Sequence, residues 1–140
     1  MKQFVIGVIL TIFAMQLVQA ANICDAKIAL ANARLNLMMM VMSTDKAEQD
    51  ELKIEIDKAS VELERVLKLM LRDENRTDDA QLTTLQKTWA KFKNTRETEI
   101  IPAIRAGNNA KAMQIAIGIQ AKRMRLMNHL IQMLNGDNCN

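Results

Sequence analysis

The chain has 140 residues, 49% hydrophobic and 25% charged with a net charge of +3, which fits one globular domain and neither a disordered chain nor a nucleic-acid binder with clustered cations. One Pro and four Gly are too few for an all-β fold, which needs turn residues at short intervals. A single His and two Cys at opposite ends of the chain offer no zinc cluster, no attached c-type haem and no His-based catalytic set, so neither a metal nor a cofactor is expected, and no enzyme.

Residues 1–20 read as a secretory leader: Lys2 starts it, Phe4 to Leu17 is nearly all apolar, and Val18-Gln19-Ala20 suits cleavage after Ala20. A membrane anchor is the alternative, because a tilted span can use about 17 residues. With no second apolar run of that length, the remaining chain, 21–140, is expected outside the cytoplasm, in the periplasm.

Four helices are predicted there, over about 22–43, 46–72, 79–106 and 109–135. In the first, Cys24, Ile28, Ala31, Leu35, Met38 and Met42 fall at alternating steps of four and three, the inner stripe of helices packed at shallow angles. Leu30, Leu37, Met39, Met40 and Val41 lie off that stripe. Between Ile28 and Met42 only Asn32, Arg34 and Asn36 are polar, and a helix apolar nearly all round needs a second partner. Leu30, Leu37, Met40 and Val41 are therefore expected to line a homodimer seam. The second helix carries Leu52, Ile56, Ala59, Leu63, Val66 and Met70 after an N-cap around Asp45 with Glu48. The third carries Leu82, Leu85, Trp89, Phe92, Ile100 and Ile104, with the acids of 73–79 at its start and Pro102 expected to kink it. Gly107-Asn108 ends it, and the fourth runs through Met113, Ile117, Gln120, Met124, Met127, Ile131 and Leu134. Short links make this an all-α, antiparallel, up-down-up-down four-helix bundle.

Cys24 and Cys139 meet an oxidising compartment if the chain is exported, and a disulfide between them brings the termini together, as an even number of antiparallel helices does. Equal steps from that bridge place Arg34 opposite His129 and Met39 opposite Met124.

The stretch from Leu82 to Leu134 resembles the four-helix-bundle ligand-binding domain of bacterial methyl-accepting chemotaxis receptors. Trp89 and Phe92, then Arg96, Ile100-Ile101-Pro102 and the turn Gly107-Asn108 with Ala110 and Ala112 carry the resemblance. It implies a periplasmic sensor module for small solutes, paired through its first helix. A linker and a signalling coiled coil are not visible, so a free-standing exported relative is expected, with a small-molecule ligand or a membrane sensor protein as partner.

Arg34, Asn36 and Arg96 are the candidate ligand-binding residues. Arg96 continues the Leu85-Trp89-Phe92 stripe, where an unpaired charge is costly. It either offers its guanidinium fork to a carboxylate ligand or pairs with a bundle acid such as Glu55 or Glu62. Arg34 falls on the expected seam. Two rival readings remain. Leu82-Thr83-Thr84-Leu85-Gln86 matches, once, the LTxxQ motif of periplasmic stress chaperones and regulators, which implies binding of unfolded chains or a sensor kinase. Met38, Met39, Met40 and Met42, with Met124, Met127, Met133 and His129, invite a copper(I) reading, set against ordinary core filling.

Overall fold

Asn22 starts the first helix: its Oδ1 accepts from the backbone N–H groups of Cys24 and Asp25, while Asp25 Oδ2 accepts from the Asn22 N–H. In the computed structural model, which describes residues 22–139, that helix, α1, spans Ile23–Met42; the leader expected over 1–20 lies outside the described residues. Asp45 Oδ1 accepts from the Ala47 and Glu48 N–H groups and opens α2, Lys46–Leu71. The third helix, α3, is three segments in one rod: Asp79–Thr95, a π turn over Arg96–Ile100, and Ile101–Arg105. Asp78 does not cap it, because Arg76 holds that carboxylate through Nε and Nη2. Gly107, at φ 74°, stops α3 with the paired bonds Gly107 N–H to Ile104 O and Asn108 N–H to Ala103 O. The fourth helix, α4, comprises Asn109–Ile117 and Ile119–Met133 on either side of Gly118. Antiparallel connections make an up-down-up-down bundle with no strand among the described residues. Cys24 and Cys139 are bonded, with Cα atoms 5.4 Å apart, tying the start of α1 to the chain end.

α2 buries the six residues its spacing predicts, Leu52, Ile56, Ala59, Leu63, Val66 and Met70. α1 does not. Its inner stripe is Ile23, Ala26, Leu30, Ala33, Leu37 and Met40, flanked by Ala29 and Val41, whereas the expected stripe members Ile28, Leu35 and Met42 are 60%, 59% and 63% exposed. Both faces are apolar, but Asn32 stands in the middle of the outer one. Burying that face would bury an amide, at a cost of about 1–3 kcal/mol without a partner; the other face carries no polar side chain. Leu30, Leu37, Met40 and Val41 are thus core residues, closed to a second copy, and the expected seam residues are corrected accordingly.

The inner stripes of α3 and α4 change step midway. In α3, Phe92, Arg96, Ile100 and Ile104 follow one another by four, and all are buried. Each step of four overshoots a regular helix by about 40°. The wider π turn over Arg96–Ile100 absorbs the drift, just before Pro102, which has no N–H to give. In α4 the same steps run Ala112, Ala116, Gln120, Met124, and the break at Gly118 absorbs them. Met113 and Ile117, expected inside, are half-buried and 61% exposed respectively. The two underwound stretches face each other: Gln120 Nε2 donates to Phe92 O at 2.8 Å, and Arg123 Nη1 donates to Thr95 Oγ1 at 2.7 Å. Ser60, Arg96 and Gln120 are the most deeply buried polar residues of the core, at the level of the two irregular stretches.

Candidate functional site

Arg34 leaves α1 beside its outward stripe and reaches α4, where Nη2 donates to the carbonyl of Ala116 at 3.1 Å, next to the Gly118 break. Terminal helix carbonyls lack intrahelical donors, so an arginine is a suitable cap there. The side chain is half-buried, and its Nη1 is sealed from solvent with no acceptor. Burial lowers the pKa of this guanidinium, and among the described residues no carboxylate pairs with it. Arg34 is therefore a cation at a helix junction with hydrogen-bonding capacity to spare.

Asn36 points elsewhere. It lines a groove of about 500 Å³ between α1 and α2, rimmed by Asp25, Glu55 and Glu62 with Lys58. The Arg65 guanidinium, bonded to both Glu62 oxygens, holds that carboxyl below its ordinary range, and Lys58 pairs with Glu55, so the rim acids are largely balanced. Arg96 is in a third place. It is fully buried, with Nε 2.8 Å from Glu97 Oε1, Nη1 donating to Ser60 Oγ at 2.9 Å, and the guanidinium 5.6 Å over the Trp89 ring. The acid that holds it is Glu97, not Glu55 or Glu62. Consecutive side chains diverge by about 100° on a regular helix, so the adjacent residue is a poor guess from sequence; the π turn makes it the partner. The three candidate residues thus do not converge within one chain, and Arg96 is held inside the core.

The register taken from the disulfide also fails. Arg34 meets Ala116, not His129, because Cys139 lies on a return turn: after α4 the chain doubles back through the Gly136–Asn138 turn, and Lys27 Nζ donates to Gly136 O at 2.8 Å. The methionines are consequently dispersed. Met40 and Met127 are fully buried and Met124 nearly so, while Met39, Met42 and Met133 are exposed and His129 faces solvent. Among the described residues no group of three His, Cys, Asp or Glu is placed to hold a metal ion. In the LTxxQ stretch, Leu82 and Leu85 are fully buried and Thr84 Oγ1 donates to Ala80 O, so three of its residues serve the helix and its core.

Sequence reasoning missed one feature, a groove of about 840 Å³ between α2 and α3 with Trp89 at its base. Trp89 Nε1 and Lys93 Nζ both donate to Glu64 Oε1, at 3.0 and 2.6 Å. Partial burial pushes the Glu64 carboxyl up, but those two donors and the nearby charges of Lys93 and Arg96 outweigh it and leave the pKa lowered. The signal was available: Lys53, Asp57, Ser60, Glu64 and Lys68 recur along one edge of α2, a polar seam that cannot close on apolar contacts.

Among the described residues no helix is long and apolar enough to cross a membrane. Neither a curated protein nor a solved structure gives a significant match. A family model described as a four helix bundle sensory module for signal transduction matches residues 9–138, nearly the whole chain. The four antiparallel helices fit that description, and the chain belongs to this family of four-helix-bundle sensory modules.

Proposed function

We propose that the protein is an exported, non-catalytic sensory module that pairs through the outward face of α1 and binds a small carboxylate-bearing solute at Arg34. One observation carries the reading: among the described residues Arg34 keeps a buried, unpartnered Nη1 at the edge of an exposed apolar stripe, Ile28, Leu35, Met39 and Met42. The side chain is only half-buried, so an outward turn of the guanidinium presents that donor to a ligand carboxylate, and a charge-assisted bond in a shielded site is among the stronger ones. Arg34 and Asn36 flank the stripe on opposite rims, and in a parallel helix pair opposite rims meet across the interface. The guanidinium of one copy then lies near the acid-rimmed groove of the other, an arrangement suited to the carboxylate and ammonium of an α-amino acid. Membership of a sensory family and the apolar segment at the start of the sequence support placement outside the cytoplasm.

Equilibrium sedimentation is expected to give a dimer at micromolar concentration that Leu35→Glu converts to monomer. A strict monomer in the unmutated protein overturns the seam. Calorimetry with L-serine, L-aspartate and succinate is expected to show at least one saturable ligand whose affinity falls about tenfold or more in Arg34→Ala, the size of one lost charged hydrogen bond. Undiminished binding in that variant removes Arg34 from the site.

A further inference from the structure

We propose that the groove between α2 and α3 is a second binding site, separate from Arg34, for an organic carboxylate with a small apolar body. The α2–α3 seam is lined by polar and charged side chains, and most of them are already engaged. Glu64 accepts from Trp89 and Lys93, Glu97 holds Arg96 and lies 3.6 Å from Lys53, and Lys53 also pairs with Asp57. Two cations on the groove wall are left over: Lys68 from α2 and Lys87 from α3 make no ion pair among the described residues. With Glu64 and Glu97 already paired, these two lysines leave the cleft with surplus positive charge, which an anion held between them neutralises. The space beneath them is apolar. Ala90, the aliphatic stems of the lysines and the edge of Trp89 form it, because long cationic side chains bury their methylenes and keep the charge outside. At about 840 Å³ the groove is within the size range of small-molecule sites. Its base is rigid: Trp89 is stacked on Phe92 with ring centroids 5.6 Å apart, anchored by Glu64 and backed by Arg96. The cations select the carboxylate, and the Trp89–Ala90 floor selects the apolar body.

Trp89 is the chain's one tryptophan, so all tryptophan fluorescence comes from the base of this groove. Titration of the purified protein with phenylacetate is expected to give a saturable change in Trp89 emission. Phenylacetamide, of the same shape but neutral, is expected to bind about tenfold or more weakly, and inorganic phosphate, an anion without an apolar body, to give no saturable change. The phenylacetate response is expected to be lost in Lys68→Ala/Lys87→Ala, two exposed substitutions that leave the core intact, and kept in Arg34→Ala. The last arm separates this site from the one at Arg34. An absent response, an equal response to phenylacetamide or phosphate, or an unchanged response in the double lysine variant overturns the proposal.

Discussion

Two arginines stand among apolar neighbours in this chain, and the bundle treats them oppositely. Each has one buried nitrogen without a hydrogen-bond partner, Nη2 of Arg96 and Nη1 of Arg34. But Arg96 is enclosed with its acid, its hydroxyl and its ring, whereas Arg34 is half-enclosed and has no carboxylate beside it among the described residues. Removing Arg96 opens a cavity in the core and leaves Ser60 Oγ without that donor, so Arg96→Ala is expected to cost about 2–5 kcal/mol in urea denaturation. Arg96→Met, which keeps the volume and drops the charge, is expected to cost clearly less; equal losses would show that the lost charge interactions, not the lost volume, set the cost. Glu64 gives a pH signature. Its folded pKa lies below the ordinary value, so its stabilisation is present above the ordinary glutamate range and is lost as pH falls through the lowered folded value. Glu64→Gln is expected to be less stable at neutral pH by no more than about 1 kcal/mol, given solvent screening, with the difference closing in acid. A gap unchanged in acid counts against the ionised carboxylate. At this scale the sequence marked both arginines as unusual, since charges on an apolar stripe stand out. It did not reveal their partners, which depend on a π turn and a helix break.

α2 was readable residue by residue because its charges leave a single apolar arc. α1 was not, because apolar side chains surround it and only Asn32 decides which face turns inward. The outward face is Ile28, Leu35, Met39 and Met42 in place of Leu30, Leu37, Met40 and Val41, so among the described residues α1 exposes one apolar side, rotated from the expected one. In α3 and α4 the departures from regular helix lie where steps of four follow one another, the local unwinding expected of a stutter. Gly118 makes one of them possible. A β-carbon there would meet the Gln114 carbonyl oxygen at 2.8 Å, a backbone atom with little freedom to move. In an ordinary helix, alanine in place of glycine is stabilising. Gly118→Ala is expected instead to lower stability by about 1–3 kcal/mol, read as a fall in thermal midpoint. A raised midpoint would show that α4 prefers to run unbroken.

For the molecule as a whole, the two cysteines at the ends of the sequence said more than any motif, because only a fold with both ends together can join them. Their bond holds across a sequence separation of 115 residues, and the even count of helices follows. What the pair could not supply was register, since the last residues return along the bundle end instead of extending α4. The bond is nevertheless not what defines the fold. The core from Leu30 to Ile131 is complete without it, and Lys27 still reaches the Gly136 carbonyl from beside the bridge. Closing a loop this long restricts the unfolded chain by about 5 kcal/mol, reduced by any strain in the folded state. The reduced protein, and equally Cys24→Ser/Cys139→Ser, is therefore expected to keep its far-ultraviolet helical signal while its urea midpoint falls by several kcal/mol of stability. An unfolded reduced chain at neutral pH would mean that the four-helix core is insufficient alone. A midpoint unmoved by reductant, with free thiols confirmed by alkylation, would mean that the ends stay together through packing and that the entropic account of the bridge is wrong.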